Sequence, residues 1–149
     1  MNLTEKINQD LKTAMKSGDK LRTETIRSIR ALILEFQKSG TGKELNEEEE
    51  IKLLTGAAKK RRDSIEQYRN AGREDLATKE EKELEILQRY LPEQLNEEKI
   101  KAEVERIAKL VGAVSKQDFP KLMPAVMKEL KGKADGKIIR SVVEDYLGK

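Results

Sequence analysis

The chain has 149 residues, 40% of them charged, and its 31 Lys+Arg against 28 Asp+Glu leave a formal net charge of +3. It contains neither Cys nor His, which excludes a disulfide framework, a thiolate metal site and the commonest general base and zinc ligand. Apolar residues reach 36% and aromatics only 3%, with Leu, Ile, Ala, Lys and Glu dominant, so the texture is that of helices with solvated outer faces.

The first predicted helix carries Leu3, Ile7, Leu11, Ala14 and Met15 at helical spacing and stops at Gly18. Asp19 caps the second, with Leu21, Thr25, Ile29, Leu32, Ile33 and Phe36 on one face, and Ser39-Gly40-Thr41-Gly42 ends it. Asn46 caps the third, with Glu49 at capping-box spacing. Glu47 to Glu50 crowd its first turn, where the helix dipole favours anions. Consecutive helical carboxylates point in different directions, so this acidic run is not read as a metal site. Ile51, Leu54, Ala58, Ile65 and Tyr68 form the apolar face, and Ala71-Gly72 closes the helix. Leu76, Leu84, Leu87, Tyr90 and Leu91 mark a fourth helix that ends before Pro92.

Beyond Pro92, Asn96 caps a helix with Ile100, Val104, Ile107, Ala108 and Val111 inward, and Gly112 breaks it. Ser115 to Asp118 opens the next as a capping box, with Phe119, Leu122, Met123, Val126, Met127 and Leu130 as its stripe. Pro120 suits a first turn, whereas Pro124 is expected to bend or locally open the helix. Gly132 ends it. Asp135 caps a last helix with Ile138, Ile139, Val142, Val143, Tyr146 and Leu147 inward. The expected fold is all-α, with an N-terminal four-helix subdomain over 1–91 and a C-terminal three-helix bundle over 92–149.

An enzyme reading finds little support. The serines lie at caps or on helix surfaces, away from any Gly-rich backbone that could form an oxyanion hole. Gly40-Thr41-Gly42-Lys43 lacks the second half of a phosphate-loop spacing and follows a helix, so it reads as a connector. No catalytic residue, metal ligand or cofactor site is predicted. Apolar runs such as Ala31 to Leu34 fall far short of the ~20 residues a membrane span needs. Met1 to Glu5 open no signal-peptide core. The expected setting is cytosolic, with no membrane partner.

Two basic clusters remain. Lys59-Lys60-Arg61-Arg62 wraps more than one helical turn, so Arg61 or Arg62 must approach the seam between Ala58 and Ile65 and is expected to pair with Glu83 or Glu85. The second cluster is Lys128, Lys131, Lys133, Lys137 and Arg140, which straddles a turn and a helix start. Gly132 and Gly136 are expected to let the backbone approach closely, and helix-start amides can receive phosphate. Scarce aromatics argue for phosphate contacts rather than base stacking. The residues alone allow a phosphate-binding face and a solvated turn equally.

The stretches KKRRDSIEQY at 59–68, Ala71-Gly72-Arg73, YLPEQL at 90–95 and GKADGK at 132–137 resemble the bacterial GatB/YqeY family, specifically its free-standing YqeY-like proteins, over essentially the whole chain. The resemblance implies an all-helical protein similar to the tail of the B subunit of the tRNA-dependent amidotransferase. In that enzyme the tail helps hold tRNA and the catalytic centres lie elsewhere. Carried over by position, Lys131, Gly132, Lys133, Lys137 and Arg140 are the expected tRNA contacts. The function so implied is a non-catalytic adaptor for tRNA or an amidotransferase-like complex, without DNA. Two alternatives stand beside it. One is a protein–protein interaction module. The other is an accessory of a glutamine-dependent carbon–nitrogen ligase, active only in a complex.

Overall fold

The computed structural model describes residues 1–40, 42 and 44–148, so Thr41 and Lys43 of the expected connector lie outside the described residues. Seven α-helices and one short 3₁₀ turn make up its regular structure, with no strand among the described residues. They fall into two compact units, Met1–Pro92 and Glu93–Lys149.

The first unit holds α1 (Leu3–Ser17), α2 (Lys20–Lys38), α3 (Glu47–Asn70) and α4 (Glu74–Gln88). Local chemistry sets their starts. Asn2 and Glu5 form a reciprocal capping box on α1. The Asp19 carboxylate accepts from the Arg22 amide at 3.1 Å, and the Asn46 side chain accepts from the Glu49 amide at 2.9 Å. Leu3, Ile7, Ile26, Ile29, Ile33, Leu54, Ala58, Ile86 and Leu87 form the core. Each fully buried Leu or Ile contributes about 1.5–3 kcal/mol relative to exposure. Met15 departs from the expected stripe, at 54% exposure. The fourth helix also ends earlier than expected, at Gln88, and Tyr90 and Leu91 follow in a turn. Tyr90 is held nonetheless: its hydroxyl donates to the Asp10 carboxylate at 2.6 Å, and the Lys6 ammonium sits 5.4 Å from its ring centre. Burial, then the Asp10 contact, pushes the Tyr90 hydroxyl well above the ordinary phenol range.

The second unit holds α5 (Glu97–Val111), a 3₁₀ turn at Lys116–Asp118, α6 (Phe119–Glu129) and α7 (Gly136–Leu147). Its core is Ile100, Val104, Ile107, Ala108, Leu122, Val126, Leu130, Ile139, Val142 and Val143, joined by Ala113. Asn96 caps α5 by accepting from the Lys99 amide at 2.8 Å. Ser115 and Asp118 form the expected capping box, and the Asp118 carboxylate also accepts from the amide of Val114. Those amide bonds hold its carboxyl below the usual range. The helix α6 runs uninterrupted through Pro124, so the expected local opening does not occur. Ile138 and Tyr146, expected inward, are 45% and 40% exposed. They flank the buried Ile139, Val142, Val143 and Leu147 of the same helix.

Candidate nucleic-acid interface

Leu130 closes helix α6, buried at 2%, with its amide still donating to the Val126 carbonyl at 2.9 Å. Gly132 then takes φ of 76°, the left-handed region where a Cβ is strained. The Lys133 amide donates back to the Leu130 carbonyl at 2.9 Å, so the turn folds tightly on the helix end.

Two further bonds fix this turn from outside. The Gln94 side-chain amide donates to the Gly132 carbonyl at 2.7 Å. The Leu95 amide donates to the Lys133 carbonyl at 2.8 Å. The segment before α5 is thereby tied to the turn before α7, both within the second unit. In the sequence, Gln94 and Leu95 stand out only as part of the YLPEQL stretch beside the expected subdomain boundary at 91/92. No periodicity or cap could reveal a contact to a backbone carbonyl that carries no side-chain identity.

Asp135 starts α7, its carboxylate accepting from the Lys137 amide at 3.2 Å. That cap occupies one of the helix-start amides and places a carboxylate beside the others. Gly136 is not needed for space, because a Cβ there would meet only the Met127 methyl at 3.7 Å. Gly132 itself is buried with its carbonyl engaged, so it shapes the turn that carries the lysines.

Lys131 and Lys133 flank that turn and Lys137 lies in the first turn of α7; all three are exposed. Arg140, also exposed, lies one turn further along. Its Nε donates to Glu144 at 2.8 Å, and its guanidinium stands 5.7 Å from the Phe119 ring centre. Arg140 thus has a carboxylate partner within α7, and Lys131, Lys133 and Lys137 lie at the Gly132 turn and the helix start after it. The nearby Glu129 carboxylate faces Arg106 across 3.6 Å. What the arrangement offers is a pre-set group of ammonium charges on a pinned loop, suited to phosphate oxygens.

The other basic cluster resolves as expected for its central residue. Arg61 crosses from α3 to donate to the Ser28 hydroxyl at 2.9 Å, and its Nε stands 3.8 Å from the Glu83 carboxylate. Both side chains are only 15% exposed. Burial pushes the Glu83 carboxyl above its ordinary range, against the opposing pull of Arg61. Lys59 and Lys60 stay exposed.

A family model described as Yqey-like protein matches residues 4–147. The chain is similar to the protein named "Altered inheritance of mitochondria protein 41, mitochondrial" of Pyrenophora tritici-repentis, 31% identical over 96% of this chain and 80% of that protein. The protein of the same name in Lachancea thermotolerans is 38% identical over 57% of this chain and 46% of its own length. In Saccharomyces cerevisiae it is 30% identical over 55% of this chain and 44% of its own length. The match spans about half the length of these two yeast relatives. These names correct the cytosolic setting drawn from the sequence, because the relatives are mitochondrial by name. That reading rested on short apolar runs and the lack of a secretory signal core at Met1 to Glu5, features that do not tell one reducing aqueous compartment from another. No helix of the described residues is long and apolar enough to cross a membrane.

Proposed function

The chain belongs to the YqeY-like family, and from that premise we propose that it is a helical adaptor that binds tRNA through the Gly132 turn and catalyses nothing on its own. The observation that supports this reading most is the pinned turn. Lys131 and Lys133 are exposed on a loop whose two carbonyls, of Gly132 and Lys133, are held by Gln94 and Leu95, and Lys137 is exposed in the first turn of α7 that follows. A loop ordered in advance loses little conformational entropy on meeting a ligand, so its charges are used efficiently. Arg140 stands one turn further along α7, where a contact to phosphate competes with Glu144.

The contacts go to the phosphate backbone. The lysines have no aromatic side chain among them to stack a base, and ammonium groups read phosphate as point charges. The adaptor should therefore bind tRNA species with little discrimination and bring them to a partner that carries the chemistry. A gel shift with bulk tRNA at low and moderate salt tests this. Binding that weakens steeply with salt supports the reading. Absence of any shift at low salt contradicts it.

A further inference from the structure

The first unit carries a groove between α2 and α3, with a cavity volume of about 610 Å³, that the tRNA reading does not use. Its apolar lining is Leu32 from α2 with Leu53 and Ala57 from α3. Gly56, an exposed glycine inside a long helix, lines it as well. Glycine there costs about 1 kcal/mol relative to Ala. Nothing in the fold requires it, because a Cβ built at Gly56 would meet no atom within 4 Å. The position is therefore open to a ligand rather than filled by a neighbour.

The walls are basic. Lys52, Lys59, Lys60 and Arg61 line the groove, against one lining carboxylate, Asp63. Lys52 also meets Glu49 at 3.8 Å. Arg61 is fixed by Ser28 on α2 and Glu83 on α4, so that end of the groove is rigid. From Lys52 to Asp63 the α3 wall runs roughly 16 Å at the helical rise, about three turns of a docked helix.

We propose that this groove docks an acidic amphipathic helix from a protein partner, its apolar anchors over Gly56 and its carboxylates on the lysine walls. Charge complementarity selects the acidic class, and the apolar lining selects an amphipathic one. RNA fits less well, because a phosphate backbone has no apolar surface to lay on Leu32, Leu53 and Ala57.

The test uses the full chain and a labelled synthetic helix of about 15 residues, with Leu at successive i, i+4 positions and Glu at the positions flanking that stripe. Its comparators are the same peptide with Lys in place of Glu, and a polyuridine oligomer. Binding is followed by fluorescence anisotropy and backbone amide shifts. The Glu peptide should bind about tenfold tighter than the Lys peptide and shift the amides of Leu32, Leu53, Gly56 and Ala57. Gly56→Leu should fill the groove and weaken binding about tenfold without lowering the melting temperature. Lys59→Glu with Lys60→Glu, both on the exposed surface, should weaken it similarly. Equal binding of the Lys peptide, shifts of those amides by polyuridine rather than the Glu peptide, or parent-like binding by both variants would overturn the proposal. None of these outcomes depends on the Gly132 turn.

Discussion

The Gln94 side-chain amide donates to the Gly132 carbonyl at 2.7 Å, across 38 residues of sequence. With the Leu95 amide on the Lys133 carbonyl, it joins the two most distinctive stretches of the chain, YLPEQL and GKADGK, into one structural piece. The lysine turn is therefore a product of the segment before α5 as much as of its own glycine. Gln94→Ala should cost the second unit about 1–2 kcal/mol, the range for losing a partner of a partly buried carbonyl. It should also weaken tRNA binding without changing its salt slope, since no charge is removed. Thermal melts and a salt titration check both parts.

Two glycines should respond in opposite directions. Gly132, at φ 76°, should lose about 1–2 kcal/mol on substitution by Ala, from left-handed strain alone. Gly56 lies in helical backbone with open space around it, so Gly56→Ala should gain about 1 kcal/mol. Urea unfolding of the two variants beside the parent reads the contrast.

The Arg61–Glu83 contact makes a prediction for the first unit. Glu83→Ala should destabilise by about 2 kcal/mol, below the 3–5 of a fully buried pair, because it leaves a mostly buried guanidinium without its carboxylate. The pH dependence has an unusual sign. Burial raises the Glu83 carboxyl in the folded state, so its ionisation costs stability as pH rises through that raised value, and the cost is relieved as pH falls. The variant should show that contribution removed from the acid side of the stability–pH curve.

Limited proteolysis should cut first between Leu91 and Glu93. The pinned positions Gln94 and Leu95 lie just beyond, and the backbone bonds at Leu95 protect them. First cleavage inside α3, between Glu47 and Asn70, would contradict the division into two units.

Much of the fold was legible because its signals are local. Asp19, Asn46, Asn96 and Asp135 cap helices through bonds to amides two or three residues on, and spacing alone exposes that. That Arg61 or Arg62 would turn inward was legible for a related reason: four consecutive basic residues on a helix cannot all face water. Met15, Ile138 and Tyr146 were misplaced because an apolar stripe tells which way a helix faces, not where the neighbouring helix stops covering it. The opening expected at Pro124 failed because α6 tolerates the one amide bond that proline forfeits. The pinning of the candidate site was not legible, since both acceptors are main-chain carbonyls far along the chain.

The central claim is that the Gly132 turn binds tRNA by phosphate contacts, and the slope of log affinity against log salt tests it most directly. With Lys131, Lys133 and Lys137 each meeting one phosphate, the turn should contribute about −2 to −3 to that slope. The Lys131→Ala, Lys133→Ala, Lys137→Ala variant should lose that contribution and bind all tRNA species uniformly more weakly while melting as the parent does. A folded triple variant with the parent's affinity and slope would contradict the account.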